Sequence, residues 1–198
     1  MFTTIVSHAD EDQLPGEPPA EYVLRLAEAK ARAVAGEAQD GSIIIGADTT
    51  VVDGEELLGK PRDAAEAAGM LRHLRGHAHQ VYTGIAALQP TYGRLVTDLC
   101  VTNVPMRDYS EEEIEAYVRT GDPLDKAGAY AIQHPGFQPV ESMAGCYASV
   151  MGLPMCHLVR TLRQFELVPP ADVPGRCQEF LEYACPVSSA ILRGEEAG

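Results

Sequence analysis

Hydrophobic positions along this chain recur at two different spacings, and the switches between them predict its elements. From Pro18-Pro19 onward, Val23, Leu26, Ala27, Ala31 and Val34 recur at helical spacing, the mark of a helix with one buried stripe. Proline suits a first turn and glycine a stop, so this helix is expected to end near Ala35, before Gly36. Ahead of it, Phe2 to Val6 reads as a short β-prone run. Ile43-Ile44-Ile45 is an unbroken apolar run, expected of a strand covered on both faces. After a glycine turn at Asp53-Gly54, Asp63 and Glu66 form a capping-box pattern. They open a helix with Ala64, Ala67, Ala68, Leu71 and Leu74 on one face, closed by Gly76.

Two β-prone stretches follow, at 79–88 and 94–104. Ser110 and Glu113 cap a further helix with Ile114, Tyr117 and Val118 inward, ending at Gly121. The run DPLDKAGAYAIQ reads as a loop entering a short strand. Pro154 opens a helix with Met155, Leu158, Val159 and Leu162 on one face. From about 169 to 198 the chain is proline-rich and then weakly amphipathic, an extension beyond a 1–168 domain. Its apolar positions suit the covering of an exposed face. Strands alternating with helices give an α/β class. The consecutive β stretches in the middle add antiparallel pairs, so a mixed, twisted sheet flanked by helices is expected.

Composition narrows the function. The chain has 198 residues, 45% of them apolar and 22% charged, which is ordinary globular usage. It carries 29 Asp+Glu against 15 Lys+Arg, a formal net charge of −14. So acidic a surface argues against general binding of nucleic acid or anionic membranes, but not against a small anion in a locally positive pocket. No apolar run is long enough to span a bilayer, and MFTTIVSHADEDQ has neither a basic leader nor an apolar core, so a cytoplasmic protein is expected. The five cysteines (100, 146, 156, 177, 185) have no CxxC spacing and read as free thiols, not as a disulfide or zinc framework.

Several residues carry possible chemistry. Asp48 follows the Ile43–Ile45 run. A carboxylate beyond a strand end can hold a divalent cation or take a proton from water, or simply cap a turn. Lysine is scarce, with only Lys30, Lys60 and Lys126. Lys30 falls within the apolar stripe of its helix, so its ammonium either snorkels to the surface or enters a cleft. Lys60 sits in the stiff turn Gly59-Lys60-Pro61, and Lys126 beside Asp125 is equally a surface ion pair. Asp10-Glu11-Asp12 is an acidic turn. No GxxxxGK[ST] run occurs, and His77-Ala78-His79 lacks a visible third metal ligand. Together these pieces suit a metal-assisted attack of water on a polyphosphate. A hard cation takes carboxylates and phosphate oxygens, lysines neutralise phosphate charge, and Asp48 orients or deprotonates the water.

The segments YVLRLAEAKA, IIIGADTTVV, LLGKPRDAAEAAGMLRHLRGHAHQVYTG, EEEIEAYVRTGDPLDKAGAYAIQ and SVMGLP, in that order, closely resemble the Maf family of nucleoside triphosphate pyrophosphatases. The resemblance runs from about Ser7 to Leu167. It implies two lobes around a central cleft and hydrolysis of a nucleoside triphosphate to the monophosphate and pyrophosphate, with Mg²⁺ or Mn²⁺. On it, Asp48 resembles the proton acceptor, and Thr49 and Gln133 resemble the specificity positions of the branch acting on dTTP and UTP. Glu11, Lys30, Lys60 and Lys126 resemble charged pocket residues, Glu11 and Asp48 being the metal-side acids. A homodimer is implied by the same analogy. A non-catalytic nucleotide-binding regulator of cell division stays open as the alternative, as does a modified purine triphosphate, against which Thr49 and Gln133 speak. The family pattern also opens with a strand and a Ser-x-Ser-Pro-Arg-Arg loop. Nothing like that loop occurs here, and the reading taken is that Met1 is internal to a longer natural protein.

Overall fold

A computed structural model describes residues 2–198, and its first regular element is helix α1, Pro19–Ala33. The two prolines start it, and Val23, Leu26, Ala27 and Ala31 form its buried stripe as their spacing predicts. The strand expected at Phe2–Val6 does not form. That segment pairs with no strand, and Phe2 and Val6 are 92% and 75% exposed. β-prone side chains hold a strand only against a partner edge and a covered face, and this run has neither.

Strands β1 (Ile44–Asp53) and β2 (Glu56–Leu58), helix α2 (Ala64–Leu74), and strands β3 (Ala78–Gln89) and β4 (Arg94–Pro105) follow. The strands make one sheet in the order β2-β1-β3-β4. Every ladder is antiparallel, so the expectation of a mixed sheet is corrected while the helix-flanked α/β sheet stands. Short turns join β1 to β2 and β3 to β4, a connection open only to antiparallel neighbours. Gly93, with φ of +62°, completes the second turn. Helix α2 then returns the chain so that β3 runs against β1.

Strand β1 continues well past the isoleucines because Thr49, Thr50, Val51 and Val52 are β-branched and extend the ladder. Asp48 therefore lies in mid-strand opposite Gly84, not beyond a strand end. The expected two-sided burial fails too, since Ile45 is 37% exposed. On its outer side β1 is paired by β2 only over Val51–Asp53, which leaves Ile44–Thr50 as an open sheet edge among the described residues.

Helix α1 covers one face of the sheet at unusually close range. A Cβ on Gly84 would sit 2.6 Å from the Val23 carbonyl oxygen, and one on Gly46 would collide with the Ala27 carbonyl oxygen. The opposite face carries α2, α3 (Glu111–Val118), the loops between 122 and 143, α4 (Tyr147–Val150) and α5 (Met155–Arg163). Its main core joins Leu71, Leu74, Val81, Val104, Tyr109, Ile114 and Tyr117. The capping box at Ser110 and Glu113 is complete in both directions. At Asp63 only half of it forms: Asp63 accepts from the Glu66 N–H, but Glu66 turns to the Arg62 N–H and guanidinium instead.

The short strand expected at the end of DPLDKAGAYAIQ is absent. Two 3-10 turns, Asp122–Asp125 and Ala127–Ala129, lead into irregular chain. Gly128 and Ala129 have positive φ, which breaks any extended run. The segment is held instead by burying Ala129, Tyr130 and Ile132, with the Tyr117 hydroxyl accepting the Ala131 N–H. In α5 the buried positions are Cys156, His157, Val159 and Thr161, not the single stripe of Met155, Leu158, Val159 and Leu162. The reason is cover from two sides: β3 and β4 lie on one, and the C-terminal helices α6 (Val173–Leu181) and α7 (Ser188–Leu192) on the other. Ile191 is fully buried there, and Cys100, Cys146 and Ala148 pack against Cys177, Leu181 and Val187. The extension thus covers α5 and the β4 side of the sheet, away from the open edge of β1.

Candidate active site

The open edge of β1 is the floor of a cleft of about 310 Å³. Its walls are α1, the Asp125–Gln133 loop and the turn Val150–Gly152 after α4. Lys30, Asp48, Thr49, Lys60, Lys126 and Gln133 all line it. Residues from four separate stretches of chain, singled out on the sequence, therefore meet in one hollow.

Each is positioned by identifiable local structure. The two glycines that let α1 settle on the sheet bring Lys30, on the turn after Ala27, down to β1. Its ammonium donates to Asp48 Oδ1 at 2.6 Å and pairs with Glu11 Oε1 at 2.8 Å. Of the two readings of Lys30, the cleft is the one observed. Glu11 is not in the cleft wall itself but bridges Lys30 to Lys60, whose Nζ lies 3.5 Å from Glu11 Oε2. The acidic turn is fixed from α1: the Tyr22 hydroxyl donates to the Glu11 carbonyl and the Arg25 guanidinium to the Asp12 carbonyl. Lys126 is both an ion pair and a cleft residue, its ammonium held by Asp125 Oδ1 at 2.7 Å and by the carbonyl and carboxylate of Asp122. Gln133 is exposed at the cleft mouth.

Alternation along β1 sends Asp48 to the α1 face and Thr49 to the other. Because no strand closes that edge, one ligand lying across it can reach both. Thr49 Oγ1 is 2.9 Å from Thr83 Oγ1, and Thr83 donates in turn to the Ser149 carbonyl at 2.8 Å. Gly152, at φ +101°, leaves the space above the Thr49 hydroxyl clear, where a side chain would also be strained. Sequence reasoning missed Thr83, Tyr130 and the Val150–Gly152 turn. SVMGLP marked the last of these without indicating a role.

Electrostatics follow from this packing. Burial pushes the Asp48 carboxyl above its ordinary value, outweighing the Lys30 ammonium that favours the carboxylate. Glu11, more exposed, is held below the usual range by its hydrogen bond to Lys30. Lys30 is burdened by burial, but its two carboxylate partners keep its ammonium more firmly protonated than usual. Asp48 and Glu11 are two hard oxygen donors brought to one ammonium, and among the described residues there is no ready-made group of three or more metal-binding side chains. That donor set fits a cation taking its remaining ligands from phosphate oxygens and water, the usual habit of Mg²⁺. His77 and His79 do not act together: His77 Nε2 meets Asp53 at 2.8 Å, and His79 Nε2 meets the buried Tyr130 hydroxyl at 2.8 Å. All five cysteines are free. No helix among the described residues is long and apolar enough to cross a membrane.

Comparison with known proteins agrees with these segments. A family model described as "Maf-like protein" matches residues 1–165. A dTTP/UTP pyrophosphatase of Bacillus cytotoxicus is 46% identical over 165 residues, covering 83% of this chain and 85% of that protein. Proteins of the same name from Geobacter sulfurreducens and Geotalea uraniireducens are 45% and 44% identical, each across 82% of this chain and 85% and 84% of their own length.

Proposed function

The chain belongs to the Maf-like family, and from that premise we propose that it hydrolyses dTTP and UTP, or closely related pyrimidine triphosphates, to the monophosphate and pyrophosphate. The observation that carries this is the convergence of Asp48, Thr49, Gln133 and three lysines on one cleft in a chain of net charge −14. Lysines are scarce here, and the three gathered at this cleft are held by Asp48, Glu11, Asp122 and Asp125, acids they can leave for a polyanion.

In this reading the triphosphate lies across the open edge of β1. Lys30, Lys60 and Lys126 exchange their present carboxylate partners for phosphate oxygens and neutralise charge on the leaving pyrophosphate. Asp48 accepts a proton from the water that attacks the α-phosphorus, as the α–β bridging bond breaks. Its upward shift suits a base working nearer neutrality than an ordinary aspartate. Asp48 and Glu11 are the residues to hold a divalent cation, which supplies charge neutralisation on the phosphates when bound. Thr49 and Gln133 face the base. A homodimer and a cytoplasmic location belong to the same reading.

The test is pyrophosphate release from a panel of triphosphates with Mg²⁺ or Mn²⁺, comparing the protein with Asp48→Asn. The expected result is turnover of UTP and dTTP that falls about 10²- to 10⁴-fold in the variant, the usual contribution of a positioned base. Thermal stabilisation by nucleotide with no product from any triphosphate would instead favour the non-catalytic regulator.

A further inference from the structure

Two donor directions are open to the Thr49–Thr83 contact, and the Ser149 carbonyl, which also accepts the Gly152 N–H, decides between them. The Ser149 carbonyl can only accept, so the single Thr83 hydroxyl proton goes to it, over 2.8 Å. Thr83 Oγ1 is then available to Thr49 only as an acceptor, and the 2.9 Å contact requires the Thr49 hydroxyl to donate to it. Thr83 is fully buried, so no solvent competes for either bond. Thr49, half-buried in the cleft wall, has its only proton spent inwards and shows the ligand lone pairs alone.

We infer that Thr83 is a positioning residue for specificity: through the Ser149 carbonyl it fixes Thr49 as an obligate acceptor, so the cleft selects bases that offer an N–H where cytosine offers a bare ring nitrogen. Uracil and thymine carry a proton on N3, and cytosine does not. A cytosine ring seated in the same place sets lone pair against lone pair, and the buried relay stops Thr49 from rotating its proton outwards. Such a mismatch is costly because it sets two acceptors against each other with neither paired, one of them fixed by a buried relay. The inference names the discriminating contact of the proposed pyrimidine triphosphatase and rests on that reading.

The device is anchored well away from the base. Ser149 belongs to α4, whose first turn is tied by the Ser149 N–H to the Cys146 carbonyl at 3.1 Å. The same short helix delivers Val150, Met151 and Gly152 to the cleft wall. Specificity and wall shape are thereby set by one element.

The experiment measures kcat/KM for UTP and CTP with the protein, Thr83→Val and Thr83→Ser. The protein itself is expected to prefer UTP by at least about tenfold, the worth of one well-placed hydrogen bond. Thr83→Val frees the Thr49 proton to turn outwards, so the UTP/CTP ratio should shrink about tenfold, mainly through KM. Thr83→Ser keeps the relay and should restore the ratio. Equal handling of UTP and CTP by the unaltered protein overturns the inference, whatever the variants do. So does a ratio that Thr83→Val leaves untouched. Should no triphosphate be hydrolysed, the proposed activity has failed, and the inference is read from thermal shifts with UMP and CMP: stabilisation by UMP over CMP supports it, and equal shifts overturn it.

Discussion

Replacing Lys30 by methionine isolates the interaction on which the proposed chemistry turns. Lys30 donates to Asp48 at 2.6 Å and to Glu11 at 2.8 Å, with side-chain exposures of 20% for Lys30 and 9% for Asp48. A charge-assisted hydrogen bond contributes roughly 1.5–3 kcal/mol. Part of this is screened, because Lys30 keeps some contact with water, so the lower half of that range applies. Methionine keeps the apolar stem but removes the ammonium that favours the Asp48 carboxylate, so the Asp48 pKa should rise further. The proposed base works deprotonated, and the acid limb of kcat/KM against pH should therefore move towards higher pH. Losing the proposed phosphate contact should also lower the plateau, by about 10-fold or more. Lys30→Arg should hold the limb near its original place. The assay is pyrophosphate release from UTP between pH 5 and 9. A plateau that falls while the acid limb stays put would refute the coupling of Lys30 to Asp48, leaving Lys30 a phosphate contact only.

Three further outcomes follow from the packing. Gly46→Ala puts a methyl group into the Ala27 carbonyl; it should cost about 1–3 kcal/mol in urea unfolding and lower activity as well, since α1 carries Lys30. Burial holds the His79 imidazole down to about 4 from 6.5. The unfolded chain therefore binds the proton first, and stability is full above pH 6.5 and declines from there down to about pH 4. That decline is worth at most about 3 kcal/mol, and in His79→Gln a plot of melting temperature against pH should lose this part of its slope. Removing residues 169–198 uncovers Cys156 on α5 and loses the fully buried Ile191. At roughly 1.5–3 kcal/mol for each large apolar side chain and about 2–4 °C per kcal/mol, the melting temperature should fall by several degrees or more; no change would show that these helices do not stabilise the domain.

Local pattern determined a good deal of this protein. The stripe of α1, the cap at Ser110, the glycine turns and the long β stretches were all legible because each depends on residues close in sequence. The candidate residues were legible as well: a lysine on an apolar stripe is costly unless something in the fold requires its charge, and the family pattern identified the others. Wherever pairing decided the outcome, the sequence was silent or misleading. Phe2–Val6 has strand-forming side chains but pairs with no edge, and the run after Lys126 is held by burial and a tyrosine hydroxyl instead of a ladder. Asp48 looked like a strand-end residue because the isoleucines end there, whereas the ladder to β3 carries β1 on to Asp53. Only the tertiary structure put Lys30 on Asp48, opened the edge that lets Asp48 and Thr49 face one hollow, and routed the Thr49 proton through Thr83 to Ser149. Those contacts join residues 18 to 66 positions apart. No periodicity reports them, because they exist only once helix, sheet edge and loop have packed together.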